Sequence, residues 1–372
     1  MSSKNLKNQN NKKTKSPLKF LYNKEILYLI IIGTVGLVIR LYYFPFNIPI
    51  IDDGIDYFSY AVVSSQQGQL PVNWGLSNNG WPVFLSYFFS IFNSQNFLEF
   101  TYLQRSLTII ISVLTIIPVY FLCKRFVNKK IAIISTTLFV FEPRIIINSL
   151  IGITEPAYIL LGTISLFLFL SKGFSIILIS FFTLALCSII RYEGFLLFIP
   201  FVIIFFIRFR KDKKIIKKIF LIIGIFFLTI TPMMFAMYEA TGDEGIISPI
   251  FGGMNYVVAV GIQGELDMDD SNYDNDEGEG KLLIFMIVGL MNLLKYIGWV
   301  LIPTFLIFVP IGFFIIIKKR DFKTITIFLF GIIMLIPAFY AYGRGIEETR
   351  YLYMIFPILC IISSLTIKKI SE

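Results

Sequence analysis

The feature that most constrains this chain is its succession of apolar runs, parted by short charged breaks. They fall at about 26–45, 100–122, 131–148, 155–171, 174–190, 194–207, 219–238, 299–317, 324–340 and 351–367. Such runs match the roughly 20 apolar residues that carry a helix across the hydrocarbon core of a bilayer. A membrane barrel would show short segments of alternating polarity instead. With 56% hydrophobic and only 15% charged residues, the 372-residue chain is far from the composition of a soluble domain. The expected fold is therefore all-α, a polytopic transmembrane helical bundle of about ten spans. Two further apolar stretches, 81–92 and 282–296, are short or interrupted and abut polar loops. They are expected to lie as interfacial helices in the first and in a late outer loop.

The first run follows a basic, Asn-rich tail, residues 1–25, and the bulky "RLYYFPFNIP" after it offers no small-residue cleavage site. It reads as a retained first helix behind a cytoplasmic arm. Cys123, Cys187 and Cys360 all sit in apolar runs, which argues against a disulfide framework and against a Cys-type zinc site. Histidine is absent. With the commonest general base missing, acid–base chemistry falls to Asp, Glu, Lys or Tyr.

The basic loops "CKRFVNKK", "SKG", "RFRKDKKIIKK" and "KKRDFK" and the terminal "KK" all fall on the side of the amino terminus. The positive-inside bias makes that side cytoplasmic. Ten crossings return the carboxy-terminal tail, 368–372, to it. Acids, which this bias ignores, agree: Glu25, Asp212, Asp321 and Glu372 fall inside and the other 20 of 24 outside. Only Lys281 and Lys295 among the lysines face out, against six arginines: Arg40, Arg105, Arg144, Arg191, Arg344 and Arg350. The net charge of +9 is thus a topology signal, and nucleic acid is not an expected partner. Arginines kept outside against the bias suggest planar forks for a phosphate or carboxylate. The transmembrane domain takes in 26–367, with a first outer loop at 46–99 and an acidic outer loop plus interfacial helix at 239–298.

The first outer loop opens on "PIIDDGIDYFSYA", which crowds Asp52, Asp53 and Asp56 together. If Asp53 starts a helix, Tyr57 and Tyr60 follow at i+4 and i+7 on its face. The stretch "QQGQLPVNWGLSNNGWP" then leads into the aromatic segment 81–92, a rim suited to a polar substrate beside lipid. Helix capping by Asp52 or Asp53, with Asp56 solvated, is the plainer account. Further along, "TEPAYILL" sets Glu155 at the outer start of a span, and "RYEGFLL" puts Arg191 and Glu193 in a turn. Late in the chain, "GRGIEETRYLYMIFP" sets Arg344, Glu347, Glu348 and Arg350 before the last span. Local ion pairs would account for these charges, but surface pairs contribute only about 0–1 kcal/mol and are a poor reason for so many. The loop "GELDMDDSNYDNDEGEG", 264–280, places Asp267, Asp269 and Ser271 at alternate positions like a calcium loop, yet has Asn272 where glycine and Gly278 where glutamate is needed. It reads as a solvated acidic loop; loose divalent-cation binding is the one cofactor role left open, and no defined metal site is expected.

Taken in order, these motifs resemble the GT-C superfamily of membrane glycosyltransferases, in the branch of the protein O-mannosyltransferases and lipid A aminoarabinose transferases. The resemblance runs over about 45–360 and rests on "DDGIDYFSYA", "NGWP", the "QRS" of Arg105, "TEPAYILL", "RYEGFLL" and "ETRYLYMIFP". It implies a polyprenyl-phosphate sugar donor of the dolichyl-phosphate type, an acceptor hydroxyl on a glycan, lipid or protein at the outer face, and a first-loop aspartate as catalytic base. Tyr57 and Gly68 favour Asp53 for that role, with Asp52 the near alternative, Glu155 positioning acceptor or base, and Arg191, Arg344 or Arg350 holding the lipid phosphate. Tyr57, Arg105, Glu193 and Tyr351 complete the implied substrate-binding set. The soluble carboxy-terminal domain of some relatives has no counterpart here, and the tryptophan-rich signature of oligosaccharyltransferases is missing, which argues against transfer of a whole glycan.

The chemistry agrees with the residues. Transfer from a lipid phosphate needs a base for the acceptor proton and cations where charge grows on the leaving phosphate. The expected protein is an inverting glycosyltransferase with both termini cytoplasmic and its active site on the extracytoplasmic face. The competing reading is a polytopic transporter or lipid flippase, which predicts charges at span centres and inverted repeats. Here the charges sit at span ends.

Overall fold

The computed structural model describes residues 24–262 and 278–372, apart from positions 93, 95 and 320. Among the described residues there is no β-strand. The chain begins with α1 (Lys24–Tyr42), and the first loop then folds into α2 (Asp53–Gln67) and α3 (Gly80–Ile91). Next come α4 (Phe97–Leu114) and α5 (Ile116–Cys123), which together form one long rod, followed by α6 (Lys129–Val140) and α7 (Pro143–Ser149). A tightly packed hairpin follows, α8 (Glu155–Phe169) and α9 (Phe174–Ile190), then a 3-10 turn Tyr192–Leu197, α10 (Phe198–Phe209) and α11 (Ile215–Thr241). The last third holds α12 (Ser248–Ile262), α13 (Gly278–Leu301), α14 (Phe308–Ile317), α15 (Phe322–Gly343), a 3-10 segment Thr349–Ile355 and α16 (Phe356–Ser371).

Local chemistry sets several of these boundaries. The side chains of Asn96, Asn128 and Asp321 accept from backbone amides at the starts of α4, α6 and α15, satisfying donors that a helix amino terminus leaves unpaired. Proline at the first turns of α7, α8 and α16 gives up no intrahelical bond. The core is aromatic: Phe169 stacks on Phe201 and Phe198 on Phe226, each with centroids 4.2 Å apart.

Among the described residues, seven helices are long and apolar enough to cross a membrane: Lys24–Tyr42, Phe97–Cys123, Tyr192–Phe209, Ile215–Thr241, Lys281–Leu301, Phe322–Gly343 and Thr349–Ser371. The pair α6 and α7, bent by 54°, makes an eighth if it is one span. The ten expected spans are thus apportioned differently. Segments 155–171 and 174–190 form helices of 15 and 17 residues, and 299–317 yields the 10-residue α14 beyond the end of α13. Conversely, 282–296, expected to be interfacial, lies inside the 24-residue α13. Lys295 interrupts its apolar pattern in sequence, yet in the fold its ammonium lies 3.7 Å from Glu347 and 5.0 Å from the Tyr296 ring centroid. The helix therefore passes through it unbroken.

The two ends of the bundle differ in charge. At one end the basic hairpins converge: Arg125 donates to Ser171 at 2.8 Å, Lys323 to the Arg125 carbonyl at 3.1 Å, and Arg208 to the Phe169 carbonyl at 3.1 Å. The helix α8 runs from that carbonyl back to Glu155, so the carboxylate stands at the opposite end. The first loop and the late "GIEETR" segment meet there.

Candidate active site

The motifs of the first 160 residues meet at one turn. Gly152 has φ +85°, a backbone state that favours glycine, and a side chain at this position would press on Gln104 and Ile50. Its carbonyl accepts from Gln104 Nε2 at 2.7 Å and from Trp81 Nε1 at 3.0 Å, while Gln104 also donates to the Gly54 carbonyl at 3.1 Å. Thus the "QRS" glutamine, the "NGWP" tryptophan and the turn before "TEP" lock together and fix the start of α2. Arg105 completes this scaffold. It donates to the carbonyls of Pro45, Ile48 and Pro49 at 3.3, 2.5 and 3.0 Å, so its guanidinium fastens the loop segment that leads into the aspartates.

The aspartates themselves lie on the wall of a cavity of about 1020 Å³. Asp53 Oδ2 accepts from Arg350 Nη1 at 2.5 Å, and Arg350 Nε is ion-paired with Glu348. Asp52 is at the amino-terminal cap of α2 with φ 52° and ψ −144°, but its side chain caps nothing. That backbone state is costly for a residue with a Cβ. Asp52, Asp56, Glu347, Glu348, Lys295 and Trp299 line the same cavity.

Behind this wall lies a buried ion triad. Arg191 donates to Glu155 Oε1 at 2.6 Å, forks onto Glu193 at 2.7 and 3.3 Å, and reaches Thr154 Oγ1 at 3.2 Å. Burial works against its charge, but Glu193 and Glu155 outweigh it and hold the Arg191 pKa well above the ordinary value. A crevice of about 20 Å³ links the triad to Tyr351 and Arg350, enough for a single water. Tyr57 faces the same charges; burial first, then Glu155 and Asp53, push its hydroxyl up to about 12 against the pull of Arg191. It stays a neutral donor throughout the physiological range.

Of the residues singled out from sequence, the fold brings together Asp52, Asp53 and Arg350 on the cavity wall, and Tyr57, Glu155, Arg191, Glu193 and Tyr351 just behind it. Arg105 is committed to backbone carbonyls. Arg344 stands apart, exposed, with its guanidinium 4.9 Å from the Tyr256 ring centroid. Sequence reading missed Lys295, Trp299 and Asn148 as lining residues. The i, i+4 spacing of Lys295 and Trp299 was the available signal. Among the described residues no group of three or more His, Cys, Asp or Glu side chains is arranged to hold a metal ion. Most of the calcium-like loop, 264–280, lies outside the described residues.

Comparison with solved structures finds the same overall fold in proteins of known structure. The chain aligns over 93% of its length with the apo crystal structure of the Archaeoglobus fulgidus oligosaccharyltransferase, at TM-score 0.61 and 13% identity, covering 50% of that chain. A similar likeness, TM-score 0.62 and 12% identity over 94% of this chain and 51% of the other, holds for AglB from Archaeoglobus fulgidus in complex with an inhibitory peptide and a dolichol-phosphate. ArnT from Cupriavidus metallidurans bound to undecaprenyl phosphate aligns over 92% of this chain and 60% of its own, at TM-score 0.61 and 10% identity. The chain thus spans about half to three-fifths of the length of these proteins. No protein-family model matches the sequence, and no curated protein matches it.

Proposed function

We propose that this protein is an inverting membrane glycosyltransferase that moves a sugar from a polyprenyl-phosphate donor to an acceptor hydroxyl. The observation that carries the reading is the joining of Asp53 and Arg350 on the wall of a large cavity at the acidic end of an apolar bundle. A carboxylate and a guanidinium side by side are what this transfer requires. Asp53 accepts the proton of the acceptor hydroxyl, the acceptor oxygen bonds to the anomeric carbon from the face opposite the phosphate, and the carbon–oxygen bond to phosphate breaks. The electron pair leaves with the polyprenyl phosphate, whose growing charge meets Arg350. The proton ends on Asp53, which keeps the balance.

Two neighbours were solved with lipids of this class, dolichol-phosphate and undecaprenyl phosphate, and this supports the same class of donor here. Glu155 and Glu193, held by Arg191, position the Arg350 side of the site and do not meet the phosphate themselves. Because the basic hairpins mark the cytoplasmic side by the positive-inside bias, the reaction takes place at the extracytoplasmic face. The test is transfer itself: reconstituted protein is incubated with a panel of radiolabelled polyprenyl-phosphate sugars and membrane, glycan and peptide acceptors. Label should leave one donor in the native protein and stay on it in Asp53→Asn; transfer unimpaired in that variant would remove Asp53 from the role of base.

A further inference from the structure

Part of the cavity wall belongs to α13, and its side chains have no role in the chemistry above. Lys295 and Trp299 stand one helical turn apart and both line the cavity. Trp299 is 59% exposed, whereas Trp81 is fully buried. A broad indole face open to a cavity rich in carboxylates is an unusual use of apolar surface, and the fold secures it from two directions. Arg144 donates to the Trp299 carbonyl at 2.6 Å and to the Ile302 carbonyl at 2.6 Å, fastening the end of α13 to α7. On the next face of the helix Tyr296 stacks on Tyr342 with centroids 4.8 Å apart, and the Tyr342 hydroxyl donates to the Glu348 carbonyl at 2.9 Å. The α13 wall is therefore tied to the segment that carries Arg350.

Resting on the glycosyltransferase reading, we infer that Trp299 is the platform for the sugar ring of the donor and that Lys295 receives the phosphate attached to it. A pyranose has a face of C–H bonds that packs on an aromatic plane, and rim hydroxyls that carboxylates such as Glu347 and Glu348 can accept. In a polyprenyl-phosphate sugar the anion is bonded directly to that ring. Cation and indole one turn apart, roughly 5–6 Å between Cβ atoms, match this adjacency. An acceptor alcohol carries no such anion, so the pair belongs to the donor. Arg105 and Arg191 lie off the cavity wall, on carbonyls and carboxylates, whereas among the described residues Arg350 and Lys295 stand on it, Arg350 beside Asp53 and Glu348 and Lys295 3.7 Å from Glu347. Exposed tryptophan is also common where helices meet the membrane interface, and the test separates the two roles.

Purified full-length protein in lipid nanodiscs is titrated with bare dolichyl phosphate and undecaprenyl phosphate, and with the same lipids bearing mannose, glucose or galactose. Native protein should prefer one sugar-bearing lipid over its bare form by about tenfold or more. Trp299→Leu, which keeps an apolar anchor, should erase that preference while still binding the bare lipid, and Trp299→Phe should retain most of it. Lys295→Gln should weaken bare and sugar-bearing lipids alike by about tenfold, with Lys295→Arg close to native. Preference undiminished in Trp299→Leu, with unchanged binding in Lys295→Gln, overturns the subsite and leaves the glycosyltransferase reading standing. Native protein that binds neither class of lipid overturns the reading and the subsite together.

Discussion

Arg350 and Asp53 lie 297 positions apart in the chain and are joined, Nη1 to Oδ2, at 2.5 Å on the cavity wall. One guanidinium thus touches the first-loop aspartate and Glu348 at once. A carboxylate held this way is oriented but not consumed, and if it acts as the base proposed above, general-base catalysis contributes about 10²–10⁴-fold. Asp53→Asn keeps the shape of the pair and removes the proton acceptor. Its kcat should fall by about 10²-fold or more, with donor KM little changed, in a transfer assay on reconstituted protein.

Arg350→Lys should act on the other parameter. Lysine keeps a positive charge but loses the planar fork that meets a phosphate with two parallel bonds. The expected outcome is a donor KM raised by about tenfold, with acceptor KM near native. Donor KM unchanged in this variant would take the phosphate away from Arg350.

The triad of Arg191, Glu155 and Glu193 is almost wholly out of solvent, with side-chain exposures of 11, 3 and 7%. Removing the cation leaves two carboxylates facing each other in a poorly solvated site. Arg191→Ala should therefore destabilise the protein by about 3–5 kcal/mol. Thermal unfolding in detergent reports this directly. Glu193→Gln, which keeps the shape and one acceptor of the fork and leaves Arg191 paired with Glu155, should cost distinctly less.

The fold is largely legible in the sequence, because apolar runs of membrane length leave few alternatives to a helical bundle. What sequence could not convey was the partner of each charge. Arg105 and Arg350 look alike in the chain, yet one is spent on three loop carbonyls and the other on two carboxylates. Arg344 sits six residues before Arg350 and points to Tyr256 and Tyr340 instead. The α13 wall is hidden for a related reason: in sequence 282–296 is a short apolar stretch beside a polar loop and reads as interfacial, whereas in the fold it lies inside one helix, Gly278–Leu301. By contrast, "NGWP", "QRS" and "TEP" were visible as motifs, but their common purpose lies in one carbonyl, that of Gly152, which no spacing rule announces.

Asp52 offers a way to separate the two candidate bases by stability as well as activity. Its φ of 52° with ψ −144° is a conformation that costs a side-chain-bearing residue about 1–3 kcal/mol. Asp52→Gly should thus raise the unfolding temperature while leaving the Asp53–Arg350 pair in place. If Asp53 is the base, transfer by this variant should remain within about threefold of native. A loss as deep as that of Asp53→Asn would make Asp52 the acting carboxylate.

Two glycines give a paired test of how closely the helices pack. At Gly312 in α14 a Cβ would run into the carbonyl of Ile362, a backbone atom of α16 that has no rotamer to yield. At Gly224, in the middle of α11, the same Cβ would meet nothing within 4 Å. Overpacking a tight contact costs about 1–3 kcal/mol, whereas alanine for glycine inside a helix gains about 0.5–1 kcal/mol. Gly312→Ala should therefore lower the unfolding temperature and Gly224→Ala hold or raise it. Because the carboxy-terminal helix α16 follows directly from the segment bearing Arg350, Gly312→Ala should also reduce transfer more than its loss of folded protein explains. Activity per folded molecule equal to native in Gly312→Ala would show that the α14–α16 packing does not reach the site.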